Sequence, residues 1–192
     1  MNKKLSLILT GLLVLVLAVA GALYTNLSSR VEMGGLATEP VETVQSQGDS
    51  EDYPAPDFTV LDWEGNPRKL SEFVGKPIVL NFWASWCGPC KSEMPDFDAA
   101  HQKYGDEIHF LMVNCTGGRE TMDSAKAFIE DAGYRFPVYF DTTYEAASLY
   151  GASSIPLTYF IDAEGNLITY GMGALSADLL QTGIDMIYVP EE

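Results

Sequence analysis

The chain is short of positive charge. Its 192 residues hold 11 Lys and Arg against 27 Asp and Glu, a formal net charge of −16, and every acidic residue lies after position 30. Nucleic-acid binding needs a basic footprint, so this balance argues against it. It favours a soluble, colloidally stable domain and biases encounters toward basic partner surfaces. Histidine is scarce too. His101 and His109 are the only two, and neither has a partner at metal-ligand spacing. With three cysteines there is no second Cys or His pair to complete a zinc site, so no metal is expected. No internal repeat and no tight dinucleotide or haem site is visible. No cofactor is expected beyond the cysteines themselves.

Two of those cysteines stand two residues apart in Trp86-Cys87-Gly88-Pro89-Cys90, directly after an apolar run and directly before a helix-like run. Free backbone N–H groups and the dipole at a helix N-terminus stabilise a thiolate on the first cysteine. The thiolate is the species that attacks disulfides. Cys87 therefore reads as the nucleophile and Cys90 as the resolving thiol of a redox-active pair. Cys115 is left over at the end of an apolar, strand-like run and reads as a buried, inert thiol.

The N-terminus carries a second signal. Lys3 and Lys4 precede residues 5–23, an uncharged stretch in which Ser6 and Thr10 are the clearly polar residues. About 20 apolar residues span a bilayer as a helix, whereas a cleaved signal has an apolar core of about 7–15. Length favours an uncleaved anchor over residues 1–24, although Ala18-Val19-Ala20 is a candidate cleavage pattern. Either reading puts the domain outside the cytoplasm, and the leading lysines orient the N-terminus inward. Residues 25–52 follow, with Gly34-Gly35, several Ser, Thr and Gln, and five acidic residues from Glu39 on. That composition reads as a flexible acidic linker.

Residues 53–192 read as one globular domain. Strands are expected at 58–61, 78–83, 108–114, 136–140, 157–161 and 167–170, and helices at 88–104, 121–132, 144–150 and 177–187. The 78–83 strand, Ile-Val-Leu-Asn-Phe-Trp, has the near-continuous apolar character of a strand buried on both faces. Pro89 suits the start of the 88–104 helix, and Pro95 is expected to kink it. Alternating strands and helices, then a hairpin and a helix, give an α/β architecture around a mixed sheet.

The segment Asn81-Phe82-Trp83-Ala84-Ser85-Trp86-Cys87-Gly88-Pro89-Cys90-Lys91 resembles the thioredoxin active site, and Ile155-Pro156 before a strand resembles the cis-proline loop of that fold. Ala55-Pro56-Asp57-Phe58, Leu70-Ser71-Glu72-Phe73 and Gly75-Lys76-Pro77 are similar to a narrower group. These are the TlpA/ResA-like membrane-tethered thiol–disulfide oxidoreductases, which share this opening with the alkyl hydroperoxide reductase/thiol-specific antioxidant proteins. The resemblance implies a thioredoxin-like fold of central mixed β-sheet flanked by helices, behind an N-terminal transmembrane anchor.

It also implies site roles. Trp86, Gly88, Pro89, Ile155 and Pro156 would bind the substrate chain, which pairs with the Ile155 backbone while its sulfur meets Cys87. Thioredoxins often carry a buried Asp where this chain has Asn81, and the narrower group has Asn there. That group also carries a Glu three residues after the second cysteine, matched by Glu93, which would move a proton to or from Cys90.

The expected activity is reduction of disulfides in exported proteins, for example during cytochrome c maturation, by a monomer fed by a membrane thiol electron donor. A dithiol oxidase would use the same residues with electrons reversed. A thiol peroxidase of the redoxin type would need a peroxide pocket supported by Thr and Arg. No Arg stands near Cys87 in sequence, and Lys91 is the nearest cation. A non-enzymatic adaptor using the Ile155-Pro156 groove is a further alternative.

Overall fold

A computed structural model describes residues 35–37 and 53–190. Eight strands form one mixed sheet in the order β1-β8-β7-β4-β5-β6-β2-β3. They are β1 (Gly35–Ala37), β2 (Thr59–Leu61), β3 (Pro67–Lys69), β4 (Ile78–Trp83), β5 (His109–Asn114), β6 (Val138–Phe140), β7 (Leu157–Ile161) and β8 (Leu167–Met172). Among the described residues four α-helices accompany them: α1 (Gly88–Tyr104), α2 (Met122–Ala132), α3 (Glu145–Leu149) and α4 (Ala177–Ile187). The central strands β4, β5 and β6 run parallel, β7 lies antiparallel beside β4, and β8 lies antiparallel on the far side of β7.

All six residues of β4 are buried. Its side chains alternate between two cores, as strand geometry requires. Val79 and Trp83 join Cys90, Met94 and Phe97 of α1 with Leu180 and Ile184 of α4. Ile78, Leu80 and Phe82 join Phe58, Ala146, Ala147 and Tyr150 on the opposite face. Asn81 falls between Val79 and Trp83, so it is the polar member of an otherwise apolar row.

Local chemistry sets the helix ends. Thr121 and Ser124 form a reciprocal capping box at α2, and Gly133 closes that helix in the left-handed conformation. Ser176 caps α4 by accepting from the Leu179 N–H. Pro95 lies inside α1, which continues through it to Tyr104. Gly183 lets α4 settle closely on the sheet, because a methyl group there would overlap the Phe160 ring.

Three features differ from the sequence reading. β3 and the 3-10 turn Leu70–Phe73 occupy a stretch read only as a turn and its continuation. β1 lies within the stretch read as linker, pairing Gly35 with Met172 and Ala37 with Tyr170. Three residues at a sheet edge have too little pattern to be read ahead. The apolar segment 5–23 lies outside the described residues, and among those described no helix is long and apolar enough to cross a membrane.

Candidate active site

Cys87 is the N-cap of α1 and is disulfide-bonded to Cys90. Their Cα atoms are 5.3 Å apart, inside the range a disulfide requires. The buried β4 strand delivers the chain to this point, and Gly88 and Pro89 turn it into the helix. The Cys90 N–H points at Cys87 Sγ from 3.2 Å. That donor, with the dipole of a 17-residue helix behind it, favours negative charge on Cys87 once the pair is reduced. Cys87 is nearly covered and Cys90 fully buried, while Gly88 and Pro89 are exposed. An incoming sulfur therefore meets Cys87 first.

Ile155 and Pro156 reach the site from the far end of the chain. Their peptide bond is cis, and Cys87 Sγ lies 3.7 Å from the Ile155 carbonyl oxygen. In the disulfide form that sulfur has no proton, so this is a contact rather than a hydrogen bond. Trp86 is 45 % exposed, a flat apolar surface beside the sulfurs.

Glu93 lies on the inner face of α1, 1 % exposed. Its Oε1 accepts from Asn81 Nδ2 at 2.9 Å, and its Oε2 accepts from the Leu175 N–H at 2.8 Å. Burial pushes its carboxyl up to about 7, against the opposing pull of those two donors. Asn81 Nδ2 also donates to Thr158 Oγ1. Glu93 thus stands one turn of helix past Cys90, with its carboxyl shifted toward neutrality.

Residues far from the motif complete the site. The Glu120 side chain, 2 % exposed, accepts from the Ser85 N–H and Asn114 Nδ2 through Oε1 and from Ser85 Oγ through Oε2. Beside it the Arg119 guanidinium lies 3.8 Å from the Trp86 ring centre. Sequence proximity made Lys91 the nearest cation; in the fold Arg119 lies over the ring of the residue preceding Cys87. The available signal was position, since Gly117-Gly118-Arg119-Glu120 follows the C-terminal end of a parallel strand, where α/β sheets place their sites.

Cys115 follows β5. It is 8 % exposed, and its thiol is pushed up to about 12 by burial and by the charges of Asp141 and Glu120. His101 and His109 lie on α1 and β5, and each is held below the usual histidine range by burial.

Residues 52–170 match the model of the AhpC/TSA family. The chain belongs to that family. It is 34% identical over 136 residues to the thiol-disulfide oxidoreductase ResA of Geobacillus thermodenitrificans, covering 69% of this chain and 75% of that one. It is 30% identical over 139 residues to the thioredoxin-like protein YneN of Bacillus subtilis, covering 72% and 81%. Among solved structures, a thiol:disulfide interchange protein of the thioredoxin family from Chlorobium tepidum superposes with a TM-score of 0.64 at 26% identity, covering 73% of this chain and 99% of that one. The sheet described above is thus the thioredoxin-like α/β fold. With a closable Cys87–Cys90 pair at its centre, the protein is a thiol–disulfide oxidoreductase of the ResA type.

Proposed function

We propose that this protein is an extracytoplasmic, membrane-tethered reductase of disulfides in exported proteins. The observation that carries the reading is the Cys87–Cys90 pair at the N-terminus of α1, with Cys87 beside the Ile155 carbonyl. The Cys87 thiolate attacks one sulfur of the partner's disulfide. That disulfide breaks, a mixed disulfide forms, and the partner's other sulfur leaves as a thiolate that takes up a proton. Cys90, losing its proton toward Glu93, then attacks Cys87. The partner's second sulfur is released and the Cys87–Cys90 disulfide closes. Two electrons and two protons have moved to the partner, and a membrane thiol donor must return them.

Trp86, Gly88 and Pro89 form the approach surface, and Ile155 and Pro156 bind the partner chain alongside. Lys3, Lys4 and the apolar stretch behind them support a single anchor with the domain outside. Gly-Pro between the cysteines resembles reducing thioredoxins and supports the reductive direction, for which apocytochrome c cysteines are a fitting substrate. The protein acts as a monomer.

The test is the reduction potential of the Cys87/Cys90 couple in the full-length chain. A value near the thioredoxin end of the range, about −270 mV, supports a reductase. A value near the DsbA end, about −120 mV, makes the protein an oxidant of exported thiols and overturns the direction.

A further inference from the structure

Three segments converge on Cys87: residues 84–91, 115–120 and 151–156. In a chain with 27 carboxylates, these stretches hold one, Glu120, and it is buried. Their exposed charges are Lys91 and Arg119, both positive. The rim of the site is thus opposite in sign to the rest of the molecule.

Arg119 is also held in place. Gly117 and Glu120 exchange both backbone hydrogen bonds, at 2.9 and 3.0 Å, so Gly118 and Arg119 form the tip of a tight turn. Gly117 and Gly118 have φ of +151° and +60°, which glycine adopts at low cost. A side chain at 117 would also overlap the Tyr144 ring. The Glu120 carboxylate pins this turn to Ser85, and the Arg119 guanidinium carbon lies over the Trp86 ring. No carboxylate among the described residues is within ion-pair distance of Arg119. Its donors, five in number and fixed in a fork, thus have no carboxylate of the described residues to hold them, and the guanidinium sits over the residue that precedes Cys87.

We infer that Arg119 is a specificity-determining residue that selects disulfides whose cysteine is flanked by an Asp or Glu side chain in the partner polypeptide. This rests on the reductase reading above and adds the partner's local chemistry to it. The net charge of the chain steers encounters with basic surfaces at long range. Arg119 acts only at contact, where a partner cysteine docks between Trp86 and Ile155.

The test uses reduced full-length protein and three peptides of equal length with one internal disulfide, carrying Glu, Gln or Lys beside the attacked cysteine. Single-turnover rate constants are read from the fluorescence change on oxidation. The wild type should reduce the Glu peptide about five-fold faster than the Lys peptide, a span set by an exposed ion pair, and 0.5 M salt should shrink the ratio. In R119Q the ratio should fall toward one, in R119K it should persist in part, and in R119E it should invert. A merely structural role for Arg119 would slow all three peptides alike. Equal rates for the Glu and Lys peptides with the wild type, or a ratio unchanged in R119E, overturn this inference alone. Failure of the wild type to reduce any of the peptides overturns the reductase reading and this inference with it.

Discussion

Asn81 Nδ2 donates to Glu93 Oε1 at 2.9 Å inside the core, linking the central strand β4 to helix α1. An amide in this place serves both protonation states of its neighbour. In this orientation it donates to a carboxylate, and turned by 180° it accepts from a carboxylic acid. An aspartate could not do so without placing a second charge against the first.

The raised ionisation of Glu93 makes stability depend on pH. An unfolded glutamate ionises near 4.5, and burial moves the native one to about 7. Between those values the unfolded chain gives up its proton first, so the native state loses stability as pH rises and levels off once both are ionised. The size of that loss is about 3 kcal/mol. Glu93→Gln carries no such penalty. Urea unfolding of the two proteins from pH 4 to 8 should show the wild type losing about 3 kcal/mol relative to the variant, with most of the change between pH 4.5 and 7. Parallel pH profiles would mean that the carboxyl is not buried in solution as it is here.

The division of labour between the cysteines is open to a direct trap. Cys87 is the sulfur next to exposed residues, while Cys90 is fully buried. Cys90→Ser should therefore stall at the mixed disulfide and accumulate a covalent adduct with a disulfide substrate, visible by mass spectrometry. Cys87→Ser should form no adduct and should lower turnover by about a thousand-fold or more. An adduct on Cys90 in the Cys87→Ser protein would reverse the assignment.

The Ser85–Glu120 contact joins the segment before Cys87 to the turn that carries Arg119. Glu120→Ala removes the acceptor of three hydrogen bonds and strands the Ser85 N–H, Ser85 Oγ and Asn114 Nδ2 in a largely water-excluded place. The cost should be about 2–4 kcal/mol. Ser85→Ala removes one donor and leaves the backbone bond, and should cost about 1 kcal/mol. Because the two side chains share a bond, the double variant should be less destabilised than the single variants combined. Denaturant titrations of the four proteins measure this, and strict additivity would show that the bond contributes nothing.

The elements most legible in the sequence were those with local punctuation. Helix α1 occupies residues 88–104 and α4 occupies 177–187, both as read, because a Pro at the start, a Ser cap and helical periodicity mark them within a few residues. Strand β4 was legible because its burial on both faces leaves an almost unbroken apolar run. The three-residue strand β3 was not, since its alternate residues are exposed and only its pairing with β2 defines it. The site divides in the same way. Cys87, Cys90 and Glu93 lie within two helical turns. Glu120 meets Ser85 across 35 residues. That meeting follows from β5 lying parallel to β4 in a register that pairs Trp83 with Asn114, which no local pattern encodes.

Cys115 tests whether a third thiol shares in the chemistry. Its backbone N–H donates to the Trp83 carbonyl, so it lies at the start of the segment leading to Cys87. Proximity to the site is not reactivity, however. Burial and two neighbouring carboxylates push the thiol up to about 12. At pH 8 its thiolate population is about a thousand-fold below that of a thiol ionising near 8.5, before its poor accessibility is counted. With Cys87 and Cys90 oxidised, iodoacetamide should leave the native protein unmodified over hours, and the same reagent in denaturant should label one cysteine per chain. Rapid native alkylation of Cys115, or its appearance in a disulfide with Cys87 during turnover, would make it a participant.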